Sequence, residues 1–373
     1  HPHPANPDPL WSRGLGDVYK RQQWKNPDKE LSELCAHSLF LAANDKRLIA
    51  VDAISGIPCS EFGSQGVVDV LPYIKQIEPT NQIQAMQLKS PPAVVNGVVI
   101  IGGTGNKFKD ASSVNGAVRG FDAVTGEFLW SFDTLIRDPE SSESLPYTVG
   151  GANVWTTMSV DRQRDLVFIP TASASPNFYG GLRPGDNRYA NSVLALRAQT
   201  GELVWHYQTI HHDIWDWDLP THPLLVDVTT ESGKRPIVIA LGKTGMVYTF
   251  HRDSGEPYFD IEEREVPTDG ILGDQLSPTQ PFPVKPPPLV RQEISPDDAW
   301  GVTPYEREAC REMIASARYG GMFTPMSTKG TIMYPQVGGG ANWGGGAFDP
   351  EPVSYTHLRA HETREDRGWA GGG

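Results

Sequence analysis

Ten consecutive residues, His211-His212-Asp213-Ile214-Trp215-Asp216-Trp217-Asp218-Leu219-Pro220, hold two imidazoles, three carboxylates and two indoles. Indoles are large and seldom stand on a loop without something to pack against. Carboxylates at i, i+3 and i+5 beside them point to a walled site in which at least one acid has chemical work to do. His211, His212, Asp213 and His222 also offer zinc donors. Adjacent residues rarely both reach one ion, and no His-x-x-x-His helix supports that reading. Gly102-Gly103-Thr104-Gly105-Asn106-Lys107 suggests a phosphate loop, but it lacks the Gly-Lys-Ser/Thr ending and follows a predicted strand, so it is set aside.

The acidic stretch needs a frame, and a repeat supplies one. Ala50-Val51-Asp52-Ala53-Ile54-Ser55-Gly56 is followed by Gly120-Phe121-Asp122-Ala123-Val124-Thr125-Gly126-Glu127-Phe128-Leu129-Trp130. A third copy is Ala195-Leu196-Arg197-Ala198-Gln199-Thr200-Gly201-Glu202-Leu203-Val204-Trp205, and a weaker fourth runs from Thr249 to Phe259. Each is an apolar strand and a Ser/Thr-Gly hairpin turn. In all but the first, an aromatic stands four residues past the glycine. Ala93 to Ile101 reads as a hairpin on Asn96-Gly97, while Leu166–Ile169 and Pro236–Leu241 read as buried strands. Repeated sheets closing on a glycine turn and an aromatic predict an all-β fold, a β-propeller; a sandwich gives no reason for the repeat. The acidic stretch then follows the Trp205 strand at the axial end of a blade.

Beyond residue 260 the pattern changes. The proline-rich run from Pro278 to Pro288 predicts an extended excursion. Thr303-Pro304-Tyr305-Glu306 carries an N-cap, a helix-starting proline and a capping box. The helix it opens is expected to bury Cys310, Met313, Ile314 and Ala317 and, with the excursion, to cap one end of the propeller. Gly338 to Pro350 is glycine-rich around Asn342-Trp343. It reads either as a close backbone approach to a ligand or as an ordinary inter-blade loop.

Composition narrows the partners. A net charge of -13 leaves no basic stripe, which argues against nucleic acid. No run of about 18 apolar residues occurs, so no membrane span is expected within this sequence. Cys35 and Cys59 flank two predicted neighbouring strands and are either disulfide-bonded, which needs an oxidising compartment, or two buried thiols. Residues 1–21 and 353–373 show no strand or helix period and resemble translated sequencing-adapter sequence. They are expected to be non-native, leaving 22–352 as the folded domain and the chain as a fragment.

The Thr-Gly-x-x-x-Trp repeat, His-His-Asp-x-Trp-Asp-x-Asp and Asn-Trp-Gly-Gly together resemble the pyrroloquinoline quinone (PQQ)-dependent dehydrogenases, nearest to the membrane-associated glucose and polyol branch. The likeness runs from about Leu34 to Pro350. It implies an eight-bladed propeller with PQQ and calcium or magnesium on its axis, of which this chain supplies about four to five blades. It further implies oxidation of a sugar, polyol or other alcohol, with electrons passed to ubiquinone or a cytochrome. The implied setting is the periplasm, with attachment to the outer face of the inner membrane through a segment outside this sequence.

By the same resemblance Asp216 is the general base and lies near the metal. Lys243, in Gly242-Lys243-Thr244-Gly245, matches the basic residue that hydrogen-bonds the quinone oxygen. Trp155 matches the indole beneath the planar cofactor, and Ser175 and Asn177 fall where cofactor and metal ligands stand. The family's first metal-side acid is expected near Gly105-Asn106-Lys107. No carboxylate occurs there, so Asn106 takes its place. Two other functions compete: a non-catalytic propeller scaffold like an outer-membrane assembly lipoprotein, and a soluble PQQ alcohol dehydrogenase.

Overall fold

Val98-Val99-Ile100-Ile101 and Leu166-Val167-Phe168-Ile169 are apolar at successive rather than alternate positions, the pattern of strands covered on both faces. The computed structural model describes residues 21–75, 86–105, 114, 116–136, 140–146, 149–230, 233–350 and 353–357. Its first sheet holds β1 (Arg21–Lys25), β2 (His37–Ala42), β3 (Arg47–Asp52) and β4 (Val67–Asp69), followed by the one-turn helix α1 (Leu71–Lys75). The second holds β5 (Ala93–Val95), β6 (Val98–Ile101), β7 (Val118–Asp122) and β8 (Phe128–Phe132). The third holds β9 (Ser159–Asp161), β10 (Leu166–Pro170), β11 (Ser192–Arg197) and β12 (Leu203–Gln208). The fourth has β13 (Leu224–Thr230), β14 (Gly233–Leu241) and β15 (Val247–His251). All are antiparallel meanders.

Alternate side chains of each inner strand enter different cores, because successive residues of a strand point to opposite faces. On β6, Val99 and Ile101 pack with Phe40, Phe62 and Phe121, while Val98 and Ile100 pack with Val167, Ile169 and Leu194. On β10, Leu166 and Phe168 turn the other way, towards Val238, Ala240 and Phe250 of the fourth sheet. The sheets therefore succeed one another face to face as propeller blades, as the repeat predicts.

The repeat's residues have matching structural duties. Asp52 Oδ1 and Asp122 Oδ1 each accept from the backbone N–H groups two and three residues on and from the Ser55 or Thr125 hydroxyl. The turn glycines Gly56, Gly126, Gly201 and Gly255 all lie at φ between +71 and +73, where a side chain is disfavoured. Trp130 lies over Gly201 of the next blade and donates Nε1 to Ala198 O at 2.9 Å; Trp205 lies over Gly255 and donates to Arg252 O at 3.0 Å. A Cβ at either glycine would stand 2.5 Å from the indole. In the first blade Phe62 and Val68 take that place against Gly126. The aromatic thus ties each blade to the one after it.

Cys35 and Cys59 are disulfide-bonded, brought together by the antiparallel pairing of β2 with β3 (Ser38 opposite Asp52). After β15 come the hairpin of β16 (Ile261–Glu265) and β17 (Thr279–Pro283), then helix α2 (Pro304–Ser316). Thr303 closes the expected capping box with Glu306. The expected burial of the helix is not found: it has no buried residue, Cys310 is half-exposed and Met313 is 69% exposed. Capping stabilises a helix from its own ends and does not require the apolar stripe to find a core. The last strands, β18 (Gly346–Pro350) and β19 (Val353–His357), pair antiparallel, so the ladder enters the segment set apart from the fold by its sequence. Among the described residues no helix is long and apolar enough to cross a membrane.

Candidate active site

Asp216 and Lys243 meet between the third and fourth blades. Asp216 lies on the loop leaving β12, and Lys243 on the tight turn between β14 and β15. Lys243 Nζ donates to Asp216 Oδ2 at 2.9 Å, to Asp216 O at 2.7 Å and to Asp218 Oδ2 at 3.1 Å. Ser173, just beyond β10, donates its N–H to Asp218 Oδ1 at 2.9 Å. Its Oγ lies 3.2 Å from Asp216 Oδ1 and 3.1 Å from Asp218 Oδ1. All four residues are buried. Burial works against the Lys243 charge, but Asp218 and Asp216 outweigh it and hold its pKa above the ordinary lysine value. The Lys243 ammonium is thus shared between two buried carboxylates, whose oxygens are the kind of donor a hard cation takes.

Asp213 gives the loop its shape. Its carboxylate accepts from Trp215 N at 2.8 Å, Trp217 N at 2.9 Å and Asn191 Nδ2 at 2.9 Å. Those two backbone bonds bracket Asp216 and hold it at φ +59, a left-handed conformation unusual outside glycine. Burial, with help from Asp216 and Asp218, pushes the Asp213 carboxyl up to about 6 against the hydrogen bonds from Trp215 N–H and Asn191. The indoles stack on each other, centroids 5.5 Å apart, and Phe323 stands edge-on to both. Trp215 Nε1 donates to Thr324 O at 2.9 Å. The wall expected from two indoles on one loop is therefore built, with a third ring from the distant segment after α2.

The histidines do other work. His211 lies between Gln208 Oε1 at 3.0 Å and Glu263 Oε1 at 3.2 Å. His212 donates Nδ1 to Gly185 O at 2.7 Å, and its pKa is lowered by burial and by Arg183. The zinc grouping is not assembled: among the described residues no group of three or more His, Cys, Asp or Glu is arranged to hold a metal ion.

Ser175 and Asn177 follow Ser173 on one strand-like segment, which pairs through Ser175 N to Gly150 O at 2.8 Å and Ala152 N to Ser173 O at 2.9 Å. Both are fully buried. Neither amide atom of Asn177 has a hydrogen-bond partner among the described residues. A buried amide is seldom left so, and its oxygen suits a hard cation such as calcium or magnesium. The Trp217 Nε1 and Thr104 Oγ1 atoms are also buried without partners there. Trp155 is half-buried directly after the segment that pairs with Ser173, and among the described residues it makes no hydrogen bond to the acidic cluster. Asn106 lies outside the described residues.

The glycine-rich run closes on protein. Gly340 N donates to Lys243 O at 2.8 Å, and a Cβ at Gly339 would lie 2.4 Å from Lys243 Cα. Its glycines let this segment pack against the backbone that carries Lys243. Ser173 and Arg183 escaped the sequence reading, since neither belongs to a motif. Asp218 stood there only as one of three clustered carboxylates, and the structure adds its direct bond to Lys243.

The family described as "PQQ: Glucose/ethanol/alcohol dehydrogenase, beta-propeller domain" matches residues 11–360. Quinoprotein glucose dehydrogenase of Escherichia coli (strain K12) is 36% identical over 344 residues, covering 90% of this chain and 42% of that protein. The glycerol dehydrogenase large subunit of Gluconobacter oxydans (strain 621H) is 32% identical over 364 residues, covering 93% of this chain and 48% of that protein. The crystal structure of quinohemoprotein alcohol dehydrogenase from Comamonas testosteroni superposes with a TM-score of 0.55 at 21% identity, covering 84% of this chain and 41% of that one. The chain thus spans less than half the length of these relatives.

Proposed function

The chain belongs to the β-propeller family of PQQ-dependent glucose, ethanol and alcohol dehydrogenases, and from that premise we propose that it forms part of an enzyme oxidising a sugar, polyol or other alcohol to the carbonyl compound. The observation that carries this reading is the buried Asp216–Lys243 pair, 2.9 Å apart, close in sequence and space to the indole wall. When bound, PQQ supplies the two-electron acceptor that no side chain provides, and calcium or magnesium polarises its carbonyl.

The chain's own residues account for the rest. Asp216 takes the proton from the substrate hydroxyl as general base. The Lys243 ammonium holds Asp216 in place and would also help to hold the quinone. Trp215, Trp217 and Phe323 keep water from the reacting face. Asn177, whose amide has no partner among the described residues, and Asp216 would supply oxygen ligands to the cation, with Asn106 as a further candidate. Ser175 and Trp155 would help to hold the cofactor.

Relatives named for glucose and glycerol support a sugar or polyol substrate. The Cys35–Cys59 disulfide supports an oxidising compartment, the periplasm, with ubiquinone or a cytochrome taking the electrons. The test is reconstitution of the enzyme with PQQ and calcium or magnesium, followed by dye reduction across a panel of sugars and alcohols. Cofactor binding with turnover is expected; failure to bind PQQ under those conditions overturns the reading and favours a non-catalytic scaffold.

A further inference from the structure

Arg183 is fully buried, and among the described residues its side-chain hydrogen bonds all go to neutral acceptors, although the Asp213 and Asp274 carboxylates lie near enough to favour its charge. Nε donates to Pro176 O at 3.1 Å, Nη1 to Asn187 Oδ1, and Nη2 to Asp213 O. Asn187 is held in turn, its Nδ2 donating to Arg183 O at 2.8 Å and to Pro184 O at 3.1 Å. Burial still outweighs those two carboxylates and lowers the Arg183 pKa, so an apolar side chain of similar volume would fill the space more cheaply. What a guanidinium adds is a planar fork whose donors keep fixed angles to one another, which neither an apolar chain nor a lysine provides.

The two ends of that fork are informative. Pro176 O belongs to the peptide group that bonds directly to Asn177, whose buried amide has no partner among the described residues. Asp213 belongs to the residue whose carboxylate grips Trp215 N and Trp217 N on either side of Asp216. Ser173 ties the start of that segment to Asp216 and Asp218, and Arg183 is thus a second, rigid link, at the Asn177 end, to the loop carrying Asp216.

We propose that Arg183 is a positioning residue that sets the spacing of Asn177 and Asp216, and so the affinity of the site for its divalent cation. This rests on the functional reading above. Groups that orient metal ligands without touching the ion commonly matter about 10- to 100-fold in metal affinity.

The test compares wild type, Arg183→Lys and Asn187→Ala in the holoenzyme. The readouts are calcium binding to the apoprotein by calorimetry, the calcium concentration that half-restores PQQ retention, and the melting temperature of the apoprotein. Arg183→Lys keeps a charge but cannot bridge both carbonyls. Its calcium midpoint is expected to rise about 10- to 100-fold with the apoprotein still cooperatively folded. Asn187→Ala frees one arm of the fork and is expected to move the midpoint the same way by less. It decides the matter if the lysine variant does not fold. A folded variant pair with wild-type calcium midpoints overturns the proposal while leaving the dehydrogenase reading intact. A wild type that binds neither PQQ nor calcium overturns both.

Discussion

Asp216→Asn replaces one carboxylate oxygen with an NH2 group, and what faces each oxygen decides the result. Ser173 Oγ faces Oδ1 at 3.2 Å and Lys243 Nζ faces Oδ2 at 2.9 Å. A hydroxyl both donates and accepts, whereas an ammonium only donates. The new amide can therefore turn its oxygen to Lys243 and its NH2 to Ser173 and keep both contacts. One charge-assisted bond weakens, but Lys243 retains Asp218 as counter-ion, so a stability loss of about 1 kcal/mol is expected. The proton acceptor is gone, which costs about 10²- to 10⁴-fold in turnover, or about 3–5 kcal/mol of barrier. Asp218→Asn is the opposite case. Its oxygens face Ser173 N–H at 2.9 Å and Lys243 Nζ at 3.1 Å, two groups that only donate. One amide oxygen cannot serve both, so this variant is expected to lose about 1–3 kcal/mol in stability. Steady-state dye reduction, PQQ binding and thermal melting, measured on both variants, separate the two effects. Asp216→Asn turnover within tenfold of wild type at saturating cofactor would refute the assignment of the base.

Three further outcomes are expected. Burial, with Arg188 nearby, lowers the His206 pKa to about 4 from the 6.5 of a free histidine. The unfolded chain therefore binds the proton first, and stability is lost as pH falls from about 6.5 to about 4. Allowing for solvent screening of the half-exposed ring, this amounts to at most about 2 kcal/mol, and an unchanged acid slope in His206→Phe would refute it. Gly201→Ala places a Cβ 2.5 Å from the Trp130 ring at a φ of +71 and is expected to cost about 2–3 kcal/mol. In Trp130→Ala, already destabilised, the same change should cost distinctly less; equal cost in both backgrounds argues against the inter-blade contact. The Cys35–Cys59 bond closes a loop across a separation of 24 residues and is worth about 3 kcal/mol, so Cys35→Ser/Cys59→Ser should unfold at correspondingly lower denaturant.

Much of the site was legible in the sequence because its parts lie on short stretches with unusual composition. Asp213, Trp215, Asp216, Trp217 and Asp218 stand within six residues, and local spacing alone predicts a crowded acidic loop walled by rings. Lys243 was legible by resemblance, not from its turn, which looks like any surface hairpin. Ser173 and Arg183 carried no motif. Their importance comes from backbone carbonyls and carboxylates brought to them across the fold, and no residue type announces that. Helix α2 shows the converse. Its capping box gave its start correctly, yet local signals said nothing true about which face it would bury.

By itself the sequence determined the blades. The Ser/Thr-Gly turns, the aromatic four residues on and the unbroken apolar strands follow from backbone sterics and from two-sided burial, both local requirements that residue types satisfy directly. Only the tertiary structure decided that Lys243 would serve Asp216 and Asp218 together, that Asn177 would be buried with no amide partner among the described residues, and that the glycine-rich run would close on Lys243. Those outcomes depend on distances between segments tens of residues apart. The packing of one blade face upon the next sets such distances, and no short stretch of chain contains them.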